Sequence, residues 1–278
     1  MCEAVVEKAD RQSLECAIAD HRAGRIEAAE AAYRMFIASS PDNADAWHFL
    51  GLLLFQRRQL QPALDAMTQA LSLAPANPGI HANLGNMLLD LGQHEQAAQA
   101  LERAIMLDPS AVPPLIALAS LRKAQGQLAE AEAILYAALE QDADSAAAHH
   151  GMGNVQVLFG RRERAVEHYR RALDLDPQMV HLRKLMAMEL SRLDRPAEAA
   201  LEYEAYLAVH PDDPGARYLL AACRSGDLEA VPLRADEEYV RHTFDGFAPE
   251  FDRILAGLGY RAPQLVAAAL EQCLGEPR

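Results

Sequence analysis

The chain has 278 residues, 51% of them apolar and 24% charged, the balance of a folded globular protein rather than a disordered one. Its length sets a soft expectation of about two domains. Lys and Arg number 26 against 40 Asp and Glu, and the resulting net charge of −14 repels nucleic-acid phosphates and anionic lipid.

The first ten residues are acidic and have no long apolar core, so no secretory signal is expected. The longest stretch without a polar side chain, Ala111 to Ala119, holds nine residues and two prolines. A membrane-spanning helix needs about 20 apolar residues, so no membrane insertion is expected. Cys2, Cys16, Cys223 and Cys273 are scattered with no CxxC pair. They predict neither a disulfide framework nor a zinc site and fit a reducing compartment, which makes the cytoplasm the expected location.

A repeat organises the rest. Steps of 34 residues from Pro41 reach Pro75, Pro109, Ala143, Pro177 and Pro211. The same step from Ala29 reaches Ala63, Ala97, Ala131, Ala165 and Ala199, and from Gly24 it reaches Arg58, Gly92, Gly126, Gly160 and Asp194. Each unit reads as two helices. Leu50, Leu54 and Phe55 give one first helix an apolar face, and Ala63, Met67, Ala70 and Leu71 do so for its second. The glycine series falls at the turn between the helices, where a left-handed backbone suits Gly. The proline series falls just past the second helix, which Pro cannot continue. The alanine series marks a close crossing.

These motifs carry a family resemblance. Trp47-x2-Leu50-Gly51-x2-Leu54, Ala63-x3-Met67 and Pro75 resemble the tetratricopeptide repeat (TPR), as do His81-x2-Leu84-Gly85, Ala97-x3-Leu101 and Pro109. Met152-Gly153, Ala165-x3-Tyr169 and Pro177 follow the same pattern. The resemblance covers about four fifths of the chain and implies an all-α fold, a right-handed TPR superhelix with a short helical C-terminal cap. Full repeats are expected at about 10–43, 44–77, 78–111, 112–145, 146–179 and 180–213, with a seventh first helix at 214–225, so that the array fills 1–228. Phe36 and Tyr206 replace the alanine found at Ala70, Ala104, Ala138 and Ala172, as end repeats require.

The resemblance also implies a function without catalysis, cofactor or metal: a protein or peptide partner held in a concave groove lined by the first helices. Carried onto this sequence, the groove positions are His48, Leu52, Phe55, Asn86, Asp90, Ser120, Lys123, His150, Asn154, Lys184, Arg192 and Tyr218. Asn86 and Asn154 resemble asparagines that clamp an extended peptide, since a carboxamide both donates and accepts. Solvated polar residues on a helix face are the plainer reading. The family's carboxylate clamp pairs a Lys with a following Asn; here Lys184 is followed by Met188, so that mode is not expected. Self-association through the array ends or the groove stays open.

Other clusters carry less. His149 and His150 are adjacent and point about 100° apart on a helix, so they do not chelate one ion. His81 and His149 occupy the Trp47 position, where an aromatic packs between helices. Arg161-Arg162-Glu163-Arg164 reads as a solvated helix start rather than a nucleic-acid patch. Gly151-x-Gly153 lies inside a helix with no strand before it, so it is no dinucleotide site.

After Gly226 the period stops, and residues 229–278 read as a linker followed by helices. Tyr239-Val240-Arg241, Phe244-Asp245-Gly246-Phe247-Ala248, Phe251-Asp252 and Leu258-Gly259-Tyr260-Arg261-Ala262-Pro263 resemble the lead-in of bacterial TPR-fused class I methyltransferases, which use S-adenosylmethionine. That family continues into a strand and a glycine-rich cofactor loop. The chain stops before any such strand, so the expectation is a non-catalytic front, with no cofactor bound. Phe244, Phe247, Phe251 and Tyr260 then either pack against a catalytic domain or cover the open end of the repeat stack; the second is favoured.

Overall fold

The computed structural model describes residues 13–224, which form α-helices joined by short turns, with no strand among the described residues. Helix α1 covers residues 13–22 and is followed by α2 (Ile26–Ser39). Then come α3 (Ala44–Gln56), α4 (Leu60–Leu73), α5 (Pro78–Asp90), α6 (His94–Leu107) and α7 (Val112–Ala124). The last six are α8 (Leu128–Gln141), α9 (Ala146–Leu158), α10 (Arg162–Leu175), α11 (His181–Arg192), α12 (Pro196–Leu207) and α13 (Pro214–Arg224). From α3 to α12, each odd-numbered helix packs against the even-numbered one that follows.

Small residues set how closely the two helices of a pair approach. Ala29, Ala63, Ala97, Ala131, Ala165 and Ala199 on the second helices are all 0% exposed. The first helices oppose them with a small-residue series of the same period: Ala17, Gly51, Gly85, Ala119, Gly153 and Ala187, all buried. A Cβ on Gly51 would meet the Ala63 carbonyl oxygen at 3.2 Å, and one on Gly85 would meet Leu101 Cγ at 2.6 Å. One turn beyond each alanine a large side chain fills the space: Tyr33, Met67, Leu101, Leu135, Tyr169 and Tyr203, each at most 2% exposed. Burying the Met or Leu side chain at this position contributes about 1.5–3 kcal/mol. The core is therefore a strip handed from pair to pair. One cluster runs from Leu14 to Met87, and others continue through Leu101 and Leu121 to Val155.

The turns inside the pairs share one backbone solution. Gly24, Gly92, Gly126 and Gly160 adopt φ of +74°, +71°, +78° and +73°, and the two non-glycine members of the series follow, Arg58 at +61° and Asp194 at +57°. The amide after each such residue reaches back five residues, as in Gln59 N to Leu54 O (2.9 Å) and Gln93 N to Leu88 O (2.8 Å). These bonds satisfy carbonyls that the helix end leaves unpaired.

Helix starts follow the same period. Asn43 accepts from the Ala46 amide (2.9 Å), Asn77 from Gly79 (2.9 Å), Ser145 from Ala148 (3.3 Å) and Asp213 from Ala216 (2.9 Å). Ala111 and Met179 occupy this position in the other two repeats and have no acceptor to offer. At Met179 the start slips: Val180 is already helical (φ −53°, ψ −32°) and α11 begins at His181. The chain divides there into two units, 1–179 with α1–α10 and 180–278 with α11–α13. Phe36 is buried at 5% exposure, whereas Tyr206 is half-buried and donates to Asp213 Oδ2 (3.0 Å). The segment 229–278, with its methyltransferase-like motifs, lies outside the described residues, as do Cys2 and Cys273. Cys16 and Cys223 are free thiols.

Backbone geometry makes three substitutions informative. A left-handed non-glycine residue costs about 1–2 kcal/mol, so Arg58→Gly is expected to raise stability by about 1 kcal/mol after the entropy cost of Gly. Ala111 already has capping angles (φ −73°, ψ 106°), and Ala111→Asn is expected to add about 1 kcal/mol. Gly126→Ala, with no atom within 4 Å of the new Cβ, loses about 1 kcal/mol through its φ alone. Urea midpoints at unchanged m-value measure all three.

Candidate interaction surface

Within the first unit, α3 touches α5, α5 touches α7 and α7 touches α9. Each second helix packs instead on the first helix of the next repeat: α4 on α5, α6 on α7 and α8 on α9. The first helices thus form a continuous row, with second helices set behind it. A period of 34 residues gives every first helix of the row the same rotation, so equivalent residues line up along one face.

The row exposes only part of what its sequence positions imply. Asn86, Asp90 and Ser120 are exposed, and Lys123 is half-buried; none of these four side chains has a polar partner among the described residues. Leu52 and Phe55 are half-buried against the core. His150 is half-buried, and Asn154 is half-buried and accepts from the Tyr169 hydroxyl (2.8 Å). Asn154 therefore keeps its two N–H groups for another acceptor, while its oxygen is committed.

His48 is drawn inside. It is 8% exposed, and the Asn83 carboxamide nitrogen donates to its Nε2 (2.8 Å), with its ring stacked on Phe49 (5.2 Å between centroids). That bond requires an unprotonated Nε2. Burial lowers the His48 pKa, opposed by the nearby Asp45 carboxylate.

A second histidine feature repeats. Trp47 Nε1 donates to Pro41 O (2.8 Å), His81 Nε2 to Pro75 O (2.9 Å) and His149 Nε2 to Ala143 O (3.1 Å). One aromatic position thus pins the loop six residues before it, a link between two series already visible in the sequence. With its Nε2 donating, His149 accepts at Nδ1 from His168 Nδ1–H (3.0 Å). The partner of His149 is therefore His168 on α10, not its neighbour His150. Burial lowers the His168 pKa, and His149 adds to this. No group of three or more metal-ligating side chains occurs among the described residues.

The remaining predicted positions lie in the second unit. Lys184 Nζ donates to Asp213 Oδ2 (2.6 Å) and lies 5.6 Å from the Tyr206 ring centroid. Burial would raise the Asp213 pKa, but bonds from Lys184, the Ala216 amide and Tyr206 outweigh it and hold the carboxyl down at about 2. Arg192 forms an ion pair with Glu189, a carboxylate 3% exposed. Tyr218 is half-buried on α13. Both cations are thus engaged in ion pairs, the exposed Arg192 with a buried carboxylate, and that of Lys184 also ties Asp213 at the start of α13.

Sequence reasoning missed the polar partners that close the spaces between repeats. Gln156 is 0% exposed and donates to Glu132 (2.7 Å), which also accepts from Arg161 (2.6 Å). The Arg161 guanidinium also lies 4.3 Å from the centre of the Phe159 ring. Asn83 is the other omission. Neither residue type recurs at its position in the other repeats, and each pairs with a side chain of the repeat before it.

Comparison with known proteins gives this geometry a family. Residues 25–134 match the family described as "Cytochrome c-type biogenesis protein H TPR domain", and residues 122–189 and 184–228 match tetratricopeptide-repeat families. The human protein O-mannosyl-transferase TMTC3 is 26% identical over 188 residues, 61% of this chain and 20% of its own length. The chain spans about a fifth or less of the curated relatives it matches. Among solved structures, Pseudomonas aeruginosa PilF aligns at TM-score 0.68 with 17% identity, covering 74% of this chain and 94% of PilF. The APC/C hetero-tetramer Cut9–Hcn1 aligns at TM-score 0.67 with 17% identity, covering 78% and 43%. These neighbours share the helical-repeat solenoid fold.

The two lowered histidine pKa values carry a sign. The unfolded chain takes up protons near 6.5, while folded His48 and His168 resist them, so their contribution is full above that pH and falls away below it. His48→Gln with His168→Gln is expected to flatten the fall in melting temperature between pH 7 and 5, read by circular dichroism.

Proposed function

Because residues 25–228 match tetratricopeptide-repeat families, we propose that the chain is a non-catalytic scaffold that holds an extended segment of a partner protein along the first-helix row. The observation that carries this reading is the line of Asn86, Ser120 and Asn154 at one position of three successive first helices. Asn86 and Ser120 have no side-chain partner among the described residues, and Asn154 has free donors. A carboxamide offers a donor and an acceptor, as a peptide unit does, so one Asn matches one unit. Packed helices lie about 8–10 Å apart, placing Asn86 and Asn154 about 16–20 Å apart across the row. At about 3.3 Å per residue, they address peptide units five or six residues apart. Leu52 and Phe55 supply an apolar end to the same face.

The chain's charge of −14 favours a partner of neutral or basic character over nucleic acid or an anionic membrane. No helix among the described residues is long and apolar enough to cross a membrane, and action in the cytoplasm fits this reading. His48, Lys184 and Arg192 are left out of the binding set, because their side chains are already engaged.

The test is affinity for a partner recovered from source cells. Asn86→Ala combined with Asn154→Ala is expected to weaken binding by about tenfold or more, near 1 kcal/mol for each lost bond. Undiminished binding by the double variant would sink the asparagine clamp.

The motifs at 239–263 favour a second reading, in which the array recruits protein substrate to an S-adenosylmethionine-dependent methyltransferase domain of a longer parent. Intact mass of the native protein separates the two. A mass near 30.4 kDa fits the scaffold, and one larger by a domain of about 100–200 residues fits the enzyme.

A further inference from the structure

Successive repeats of the first unit are tied by ion pairs, with one exception. Arg57, at the end of α3, pairs with Glu30 on α2. Arg122 on α7 pairs with Glu102 on α6 (2.6 Å) and Glu130 on α8 (3.4 Å). Arg161, before α10, pairs with Glu132 on α8 (2.6 Å). Between α4 and α6 no ion pair or side-chain hydrogen bond joins α4 to α5 or α6 among the described residues. The sequence explains the gap. One period beyond Glu30 and Arg57 stand Leu64 and Leu91, and one period before Glu102 and Arg122 stand Thr68 and Leu88, so all four charges are replaced by uncharged side chains.

The seam left open there is a groove of about 450 Å³ on the second-helix side, floored by Leu64, Leu71, Leu84 and Leu88. Its rim carries Gln93, Gln96, Gln99 and the exposed Arg103. None of the residues lining it is acidic, in a chain of net charge −14. Arg103 has no ion pair or hydrogen bond among the described residues. It is a cation without a counter-ion beside four half-buried or buried leucines.

We propose that this seam is a second docking surface, which takes an extended segment of a partner protein carrying an Asp or Glu between leucine-like side chains. Charge complementarity selects the acid, because the partner's carboxylate would supply the ion pair that the other seams make internally, and Arg can hold it bidentately. The glutamines select an extended backbone, since a helix has already paired its own peptide units and leaves the carboxamides nothing to bind. The leucines take the flanking apolar side chains, and the volume lies within the ~300–1,000 Å³ typical of ligand sites. The surface is distinct from the first-helix row and does not rest on that reading.

The test displays random twelve-residue segments on phage, selects them on the full chain, and measures winners as N-acetylated, C-amidated peptides by fluorescence anisotropy. Enriched sequences are expected to hold Asp or Glu flanked by Leu, Ile or Met. Arg103→Glu is expected to weaken them at least tenfold, and Thr68→Glu, which puts a carboxylate into the lining, to do the same. Both substitutions are at exposed positions, and an unchanged melting temperature verifies the fold. No enrichment, enrichment without an acid, indifference to Arg103→Glu, or dependence on a free C-terminal carboxylate would each overturn the proposal. Peptides lost on Asn86→Ala with Asn154→Ala but kept on Arg103→Glu would bind the first-helix row and overturn this surface alone.

Discussion

The close approach of the two helices in each repeat, set by alanine on one and glycine or alanine on the other, is the constraint on which the other features of the array depend. With Ala63 and Ala97 carrying only a methyl group, the first helix comes within van der Waals contact of the second helix's backbone. That leaves a large side chain one turn away as the filler, hence Tyr33, Met67, Leu101, Leu135, Tyr169 and Tyr203. The residue type there varies while the burial does not. A large buried side chain recurs at this position while its chemistry varies, as a densely packed interior permits when its neighbours adjust.

The turn obeys the same geometry. If two helices must meet at fixed distance and angle, the connection has little freedom, and the left-handed residue becomes obligatory. Arg58 and Asp194 show that packing overrides local preference, since both adopt positive φ at a cost glycine would avoid. Surface ties are free of that constraint, and they differ from seam to seam: an ion pair through Arg57, a double pair through Arg122, a Gln–Glu–Arg set at Gln156, and leucine at the fourth. A repeat array can thus change its faces one seam at a time without disturbing the strip of core behind them.

The fold was legible because the constraint is periodic. Three series of residues 34 apart locate the crossing, the turn and the helix end, and each maps onto a physical role in the structure: zero exposure, positive φ, and chain exit from a second helix. The surface was legible only in part. Asn86, Asp90 and Ser120 are displayed as their positions in the repeat imply. His48 and Lys184 share equivalent positions yet are engaged by Asn83 on the next first helix and by Asp213 at the start of α13, partners 35 and 29 residues away. Periodicity reports where a side chain starts. Whether it reaches solvent depends on the one residue opposite, whose type the period does not set.

Charge distribution separates the faces more sharply than composition does. A chain with 40 acids and 26 bases could spread its excess evenly, but the ion pairs absorb arginines at most seams. Arg103 differs, because no acid lines its seam and no ion pair engages it among the described residues. The amide-lined first-helix row differs again, because Asn and Ser meet a backbone without asking for charge. The two proposed faces would sort partners by different physics: the row by backbone geometry, nearly independent of ionic strength, and the seam by a carboxylate whose attraction salt would screen over about 10 Å at 0.1 M.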